Sequence, residues 1–363
     1  MNWYELKDSH KLESPSLLVY PDRIQYNAEL MCSMAKDHDR LRPHIKTHKM
    51  AEVIEIQLQL GINKYKCATI SEAELLARSG ATDILLAMQP VARHLDSFLQ
   101  LMKDYPEISF STLVDSEQTH LTFRKAAQKA NMQLNLWIDI NNGMNRTGIL
   151  PNETAVTLFH SLQNDPEINL LGLHVYDGHI HNGDLNQREM ACNKDYHKIA
   201  ALIERLEKDG AEKPLVVAGG TPTFPIHEKR DQVELSPGTP LLWDYGYASN
   251  YRDLKFLPAA ILMTRIVSKP DKNLICFDLG HKSVASEMKL PRVHFLSNNN
   301  FKQISQSEEH LVVACDNSDE HAIGDTHFAL PIHVCPTVSK FPYAYAIKDH
   351  IAVGKWMVAA RDH

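Results

Sequence analysis

A basic octapeptide near the start of the chain has residue types that could bind an anion or form a covalent bond with a carbonyl compound. Residues 42–49 read RPHIKTHK. If this stretch is an extended strand, as Pro43 favours for the residue before it, its alternate basic side chains share one face: Arg42, His44, Lys46 and His48. A buried face of this kind needs an anionic partner, because like charges are costly in an interior. The alternative is a basic surface strand or anion patch.

The composition excludes several classes of partner. The chain has 363 residues and a net charge of -7, so we expect no nucleic acid and no polybasic membrane surface, and infer a small-molecule partner. The six cysteines show no paired spacing, and the N-terminus lacks the apolar run of a signal peptide. We therefore expect free thiols in a cytoplasmic protein. No apolar run reaches the length of a membrane span.

Strand-like and helix-like segments alternate through the first part of the chain and must position these residues. A capping box at Ser71 and Glu74 is typical of a helix start. Eight strands separated by helix-sized segments predict an α/β fold, a TIM-like (β/α)8 barrel over residues 21–258. A doubly wound sheet would give a similar alternation, but the chemistry at the strand ends favours the barrel. The strand-like runs lie at residues 42–46, 64–70, 83–88, 109–115, 134–140, 170–176, 214–219 and 232–236.

After Pro258 the pattern changes. Strand-like runs at residues 260–267, 274–279, 311–315, 328–334 and 351–357 follow one another without helix-sized segments between them. This texture predicts a second, mostly antiparallel C-terminal β domain over residues 259–363.

In a barrel, functional side chains come from the C-terminal ends of the strands. Lys46 ends the first predicted strand. After the fifth, two glycines in a tight loop would present Arg146 inward, although a plain turn with a solvent-exposed arginine would look the same. At the end of the sixth, alternation sends His174 and Tyr176 to one face, where either could instead be a satisfied core residue.

The last two predicted strands end in turn sequences that could complete an anion-binding site. Gly219-Gly220-Thr221 follows the seventh, and its amides and hydroxyl could hold a phosphate. A lone Gly-Gly-Thr is weak evidence, because any tight turn would look alike. The eighth leads to Asp244 and Tyr245. A phosphate cup together with a functional lysine suggests pyridoxal 5'-phosphate, which needs a lysine amine, phosphate donors and a partner for its ring nitrogen.

A second constellation lies in the predicted β domain. On a strand, His333 and Cys335 face the same side at i and i+2, and imidazole with thiolate suits Zn(II). The alternative is a buried cysteine beside a hydrogen-bonded histidine. An open site with two protein ligands would be the catalytic type, able to polarise a substrate hydroxyl.

Taken together, these motifs resemble the D-threonine aldolase and D-serine dehydratase family, whose barrel is similar to the alanine racemase N-terminal type. The resemblance covers almost the whole chain, and its most specific parts are RPHIKTHK at 42–49 and HVCPT at 333–337. It also includes SPSL at 14–17, ATISEAE at 68–74, YDGH at 176–179, GGT at 219–221 and DLGHK at 278–282.

The resemblance implies roles for particular residues. Lys46 would be the Schiff-base lysine, Arg146 would meet the phenolic oxygen of the cofactor, and Tyr176 would approach its ring nitrogen. Gly219, Gly220 and Thr221 would take the phosphate. Apart from the resemblance, we also expect His44, Asp244 and Tyr245 to contact the cofactor. His333 and Cys335 would bind a divalent metal, zinc favoured over manganese because one ligand is a thiolate. The resemblance also implies a homodimer and assigns residues 1–20 to the β domain.

The implied activity is that of a lyase acting on β-hydroxy-D-amino acids. If Lys46 removes the α-proton and the metal assists loss of hydroxide, the product is a 2-oxo acid with ammonia. If His174 or His179 deprotonates the β-hydroxyl, the Cα–Cβ bond breaks and glycine with an aldehyde results. The His-x-Cys pair favours the dehydratase branch, whereas YDGH is more similar to the aldolase branch. The rival interpretations are an amino-acid racemase, a non-catalytic protein that binds pyridoxal phosphate, and a metal enzyme without that cofactor.

Overall fold

The computed structural model describes residues 1–297 and 300–362. The chain divides into two compact units. The first, which we call the β unit, comprises Met1–Leu30, Thr47–Ile56 and Thr239–Asp362. The second, the parallel-sheet unit, comprises Met31–Lys46 and Gln57–Gly238. The predicted division at residues 20 and 258 stays a prediction. Within the described residues, no helix is both long enough and apolar enough to cross a membrane.

The strands are β1 Ser16–Val19, β2 Lys64–Cys67, β3 Asp83–Leu86, β4 Ser109–Val114, β5 Leu134–Asp139, β6 Ile168–Val175, β7 Leu215–Ala218, β8 Val233–Leu235, β9 Ala260–Asp271, β10 Leu274–Phe277, β11 Val293–Phe295, β12 Lys302–Gln306, β13 Leu311–Ala314, β14 Thr326–Pro331, β15 Tyr343–Lys348 and β16 Ile351–Met357. The helices are α1 Pro21–Ala35, α2 Ala51–Gln59, α3 Ile70–Ser79, α4 Arg93–Asp104, α5 Glu117–Ala130, α6 Glu153–Gln163, α7 Leu185–Lys208, α8 Phe224–His227, α9 Tyr245–Asn250 and α10 Val334–Val338.

The parallel-sheet unit contains strands β2 to β8, hydrogen bonded in chain order and all parallel. Isolated parallel bridges join Leu41 to Leu235 and His44 to Lys66. The segment between these bridges therefore lies between β8 and β2 and takes the place of a first barrel strand. The predicted α/β barrel is confirmed, with seven regular strands and one irregular segment among the described residues.

The prediction of a regular strand at 42–46 is wrong. Pro43 has no N–H to donate to a ladder, although its carbonyl oxygen accepts the Lys66 N–H at 2.9 Å. Beyond His44 the chain leaves the sheet, because Ile45–Thr47 form a 3-10 turn. The His44 ring supports this turn, its Nδ1 accepting the Lys46 backbone N–H at 3.3 Å. The expected alternation of basic side chains therefore ends at His44.

The helix α3 begins earlier than the predicted capping box implied. Thr69 is its N-cap, and its hydroxyl accepts the Glu72 N–H at 3.2 Å. The Glu72 carboxylate accepts the Ala68 N–H at 2.7 Å. The Thr69 bond is the N-cap half of a capping box, two residues before the predicted Ser71, whereas Glu72 accepts the N–H of the residue before the N-cap rather than that of the N-cap itself.

The β unit is built on a mostly antiparallel sheet. Its main path runs β12-β13-β10-β9-β1-β15-β16, and β14 joins β9 to β11. The N-terminal strand β1 pairs antiparallel with β9 and parallel with β15. Apolar side chains from both ends of the chain pack in one cluster, which includes Tyr4, Leu18, Ile261, Phe328 and Ile347. The predicted antiparallel C-terminal part of the fold is confirmed.

A charged network crosses the interior of the parallel-sheet unit. Arg42 is 2% exposed and forms a bidentate ion pair with Asp83, at 2.6 and 2.9 Å. Its Nε donates to Glu234 at 2.6 Å, and the other Glu234 oxygen accepts from Lys64 at 2.8 Å. Burial alone would lower the pKa of Arg42, but hydrogen bonds and charge attraction from these carboxylates raise it above its usual value.

We expect Glu234→Gln to destabilise the protein by about 3 kcal/mol, because it leaves the buried Arg42 charge without one partner. The measurement is the urea midpoint of unfolding. Glu153→Gln is the matched control, since Glu153 pairs with Arg205 at the surface and such pairs contribute under about 1 kcal/mol. Equal midpoints for the two variants would contradict the structural role of the network.

Candidate active site

The ring of Tyr176 is the point where the predicted cofactor residues of the parallel-sheet unit meet. Tyr176 directly follows β6. The Lys46 amine lies 5.8 Å from its ring centroid and the Arg146 guanidinium 5.2 Å. A third cation, Lys66, lies 5.6 Å from the same centroid. All three are within the distance at which a cation and an aromatic face attract. We call these four residues the Tyr176 cluster.

Glycines leave the space that the Tyr176 ring occupies. A Cβ on Gly178 would lie 2.3 Å from the ring, and one on Gly220 would lie 3.2 Å from its Cε2. Gly219 has a φ of +77°, which favours glycine, and a Cβ there would lie 2.8 Å from His227 Cδ2. The Gly-Gly-Thr turn after β7 therefore approaches the ring without a side chain between them.

Hydrogen bonds fix this turn. The Gly219 N–H donates to Val175 O at 3.2 Å, and the Gly220 N–H donates to Thr223 Oγ1 at 3.1 Å. Thr221 Oγ1 accepts the Gly238 N–H at 3.1 Å, which joins the turn to the segment after β8. Both glycine amides thus have partners within the protein, and phosphate binding by this turn stays a prediction.

A buried polar network supports the turn from behind, and sequence reasoning missed it. Asp177 accepts a hydrogen bond from Thr223 at 2.8 Å and is paired with His227 Nε2 at 2.8 Å. Cys192 Sγ lies 3.4 Å from the same nitrogen. Burial, together with the charge of Asp177, raises the pKa of Cys192 to about 12, so this cysteine is a protonated thiol at neutral pH.

The two predicted bases are histidines oriented by carboxylates. His174 Nδ1 is 2.7 Å from Asp139, and His179 Nε2 is 2.8 Å from Asp195. The other ring nitrogen of each is buried and has no hydrogen-bond partner among the described residues. Burial is the main reason that the pKa of His174 is lowered, although Asp139 opposes the shift. His174 is therefore neutral at pH 7.

The predicted metal ligands lie in the β unit but not on a strand. His333 is the N-cap of α10 and Cys335 is the second residue of that helix, so the expected i, i+2 strand geometry is wrong. Cys335 Sγ is 3.2 Å from Thr47 Oγ1. The Glu287 carboxylate oxygen Oε1 lies 2.6 Å from His333 Nδ1. Burial alone would lower the pKa of His333, but hydrogen bonds to Cys335 and Glu287 raise it to about 9.

Asp244, predicted to contact the cofactor, is hydrogen bonded to the first residue of α10, the helix that contains Cys335 and has His333 as its N-cap. Its Oδ1 accepts the Tyr247 N–H at 2.8 Å and its Oδ2 accepts the Val334 N–H at 2.9 Å. Burial raises its pKa to about 6. The neighbouring Tyr245 stacks on His294, with ring centroids 4.1 Å apart. Cofactor contacts of Asp244 and Tyr245 stay predictions.

Lys66 is the member of the Tyr176 cluster that sequence reasoning missed. The available signal was a Lys-x-Lys pair at residues 64 and 66 in an otherwise apolar strand. A cavity of about 450 Å³ was also not predicted, and it opens where β2 and β3 end, lined in part by Ala68, Thr69, Leu86 and Met88.

Comparison with known families agrees with this geometry. The family model described as the alanine racemase N-terminal domain matches residues 19–244. The chain belongs to the alanine racemase N-terminal domain family. A second model, described as a putative serine dehydratase domain, matches residues 259–347, which include His333 and Cys335.

Relatives within this family match nearly the whole chain. The chain is 25% identical over 357 residues to a D-threonine aldolase of Arthrobacter sp., covering 97% of this chain and 93% of the relative. It is 25% identical over 367 residues to a 3-hydroxy-D-aspartate aldolase of Paracoccus denitrificans, covering 98% and 93%. A crystal structure of D-threonine aldolase from Filomicrobium marinum is similar with a TM-score of 0.88 and 25% identity, over 96% of this chain and 95% of that one.

We expect Gly219→Ala to lower the free energy of unfolding by about 1–3 kcal/mol more than a glycine-to-alanine change at a site with free space. The reason is that the new methyl group would clash with His227 and Thr223. Gly210→Ala is the matched control, since Gly210 has a φ of +92° but nothing within 4 Å of its Cβ position. Thermal unfolding of both variants measures the difference. If the two melt together, the close approach of the turn to His227 is not a constraint on this protein.

Proposed function

We propose that this protein is a pyridoxal 5'-phosphate-dependent lyase that acts on β-hydroxy-D-amino acids and needs a divalent metal at His333 and Cys335. The Tyr176 cluster carries the proposal, since an amine, a guanidinium and a glycine turn meet at one aromatic ring. The relatives supply the substrate class, because D-threonine and 3-hydroxy-D-aspartate are both β-hydroxy-D-amino acids and each gives a relative its name.

The residues present fit pyridoxal phosphate. Lys46 supplies the amine that its aldehyde requires, and Arg146 supplies a cation for an anionic oxygen. The glycine turn after β7 approaches the Tyr176 ring without an intervening side chain, since a Cβ at Gly220 would lie only 3.2 Å from the ring Cε2. A group bound beside the ring would therefore meet backbone at this turn. The buried His174 Nε2, which has no partner among the described residues, offers one more polar contact. On these grounds we assign cofactor binding to Lys46, Arg146, Tyr176 and the 219–221 turn.

The protein's own groups would move the protons. When bound, pyridoxal phosphate withdraws electrons from the α-carbon of an amino acid. Lys46 Nζ is the amine that can take up a proton released at that carbon and return it. His174 is kept neutral by burial and is oriented by Asp139, so its Nε2 can accept a proton. His179 is oriented in the same way by Asp195.

The donor set in the β unit fits zinc. Imidazole and thiolate are both good zinc ligands, and a carboxylate on the second nitrogen of a ligating histidine, as Glu287 provides, is the usual means of fixing its orientation. Bound there, the metal would act as a Lewis acid toward a substrate hydroxyl. Zinc is favoured over manganese because Cys335 is a soft ligand.

We favour elimination of the β-hydroxyl over cleavage of the Cα–Cβ bond. The support is the His-x-Cys pair and the serine dehydratase description of the segment that contains it. The aldolase names of two relatives support the other branch. Both are lyase reactions on the same substrate class, so the proposed function does not depend on the branch.

Product analysis tests the proposal. Purified protein is loaded with pyridoxal phosphate and zinc, given D-threonine, and assayed for products. We expect 2-oxobutanoate with ammonia; glycine with acetaldehyde would keep the lyase and overturn the elimination branch. Formation of L-allo-threonine, the product of inversion at the α-carbon alone, without either product set would contradict the lyase and revive the racemase interpretation.

A cysteine replacement separates the metal requirement from general damage. We expect Cys335→Ala to lose at least tenfold in zinc affinity and in turnover, because it removes one of two protein ligands. Cys276→Ala is the matched control, since Cys276 is a buried thiol of β10 in the same unit. Calorimetric zinc titration and a chelator series measure both effects. Chelator-insensitive turnover by the wild type would refute the assignment.

A further inference from the structure

The strand β2 directs two lysines into the parallel-sheet unit, and they differ in their partners. Lys64 Nζ is paired with Glu234 at 2.8 Å. Lys66, two residues further along the same face, is only 3% exposed, yet its Nζ makes no hydrogen bond or ion pair within residues 1–297 and 300–362. The Lys66 Nζ instead faces the Tyr176 ring and lies 5.6 Å from the ring centroid.

The two carboxylates whose charges act on Lys66, Asp139 and Asp177, already have other partners. Asp139 is held by His174 at 2.7 Å. Asp177 accepts from Thr223 and is paired with His227, both at 2.8 Å. The charged and titratable groups around Lys66 come from several elements: Arg42 and Lys46 before β2, Asp139 at the end of β5, Arg146 in the loop after β5, His174 in β6 and Asp177 just after β6.

This environment leaves the Lys66 ammonium poorly stabilised. A buried ammonium without a hydrogen-bonded partner is unfavourable, and such a group commonly loses its proton instead. Burial, and then the charge of Lys46, lower the pKa of Lys66 to about 7, although Asp177 and Asp139 oppose the shift. The Tyr176 cluster therefore has two cations, Lys46 and Arg146, and an amine, Lys66, that is only partly protonated at neutral pH. An anion bound beside the ring would stabilise the charge of all three.

We propose that Lys66 binds an anionic oxygen brought to the Tyr176 cluster by the cofactor or by its amino-acid substrate, and that it takes up a proton from solvent as that ligand binds. The proposal rests on the proposed function for the identity of the ligands. An anion within about 4 Å of an ammonium favours its charged form, so binding and protonation of Lys66 must assist each other. Lys66 is thus a binding residue, distinct from Lys46, which carries the covalent role.

Two replacements of Lys66 separate charge from size. Lys66→Met keeps the length of the side chain without its charge, and Lys66→Arg keeps a charge that does not titrate. Lys64→Met is the matched control on the same strand face, because Lys64 already has a carboxylate partner. Each apo-protein is titrated with pyridoxal phosphate from pH 6 to pH 8, followed by absorbance. Each loaded protein is then titrated with D-alanine, which lacks a β-hydroxyl.

Wild-type affinity for the relevant ligand should fall about tenfold between pH 6 and pH 8 relative to Lys66→Arg, because a group of pKa about 7 loses most of its protons in that interval. Both proteins bind the same ligand, so the ratio of their affinities is not affected by titration of the ligand's own phosphate. Lys66→Met should bind about tenfold more weakly than wild type at pH 6, with the pH dependence of the arginine variant. The Lys64→Met profile should follow wild type.

The two titrations identify the source of the anion. An effect on pyridoxal phosphate binding assigns it to the cofactor, and an effect confined to D-alanine assigns it to the substrate carboxylate. We also expect apo Lys66→Met to melt higher than wild type at pH 6, since an unpaired buried charge is removed. If Lys66→Met matches wild type in both titrations at every pH, the proposal is refuted while the lyase assignment stands. Failure of wild type to bind pyridoxal phosphate would instead overturn the proposed function.

Discussion

Burial of positive charge inside the parallel sheet is the constraint on which the rest of this structure depends. Arg42 enters the interior from the segment that replaces the first barrel strand, and it is stable there only because Asp83 and Glu234 face it from β3 and β8. These contacts join the segment before β2 to β3 and to β8. The turn at residues 45–47 that positions Lys46 begins three residues after this paired arginine.

Closer to the C-terminal ends of the strands the balance of charge is different. Lys46, Lys66 and Arg146 gather around Tyr176, and the carboxylates near them are bonded to histidines and hydroxyls. The charge of Arg42 is thus neutralised by carboxylates of the protein, whereas the cations around Tyr176 have no such carboxylate partner among the described residues. The anionic cofactor and substrate that we propose would supply the missing negative charge beside the glycine turn after β7.

The sequence predicted the architecture better than the local geometry. Alternation of strands and helices was sufficient for the barrel, because each element carries its own periodicity. His333 and Cys335 were found as a pair but placed on a strand, since the helix they occupy is held by Asp244 through a backbone contact 90 residues away. The role of Lys66 could not be inferred from its strand, because it depends on which carboxylates other residues have already taken.

The claim that unites these observations is that Lys46, and not its neighbour Lys66, carries the cofactor. Both amines lie at similar distances from Tyr176, at 5.8 and 5.6 Å, so a direct chemical test is decisive. Protein loaded with pyridoxal phosphate is reduced with borohydride, digested and mapped by mass spectrometry. The account predicts a pyridoxyl group on Lys46 that is absent from Lys46→Ala. A modified Lys66 in the wild type, or no modified lysine, would contradict it.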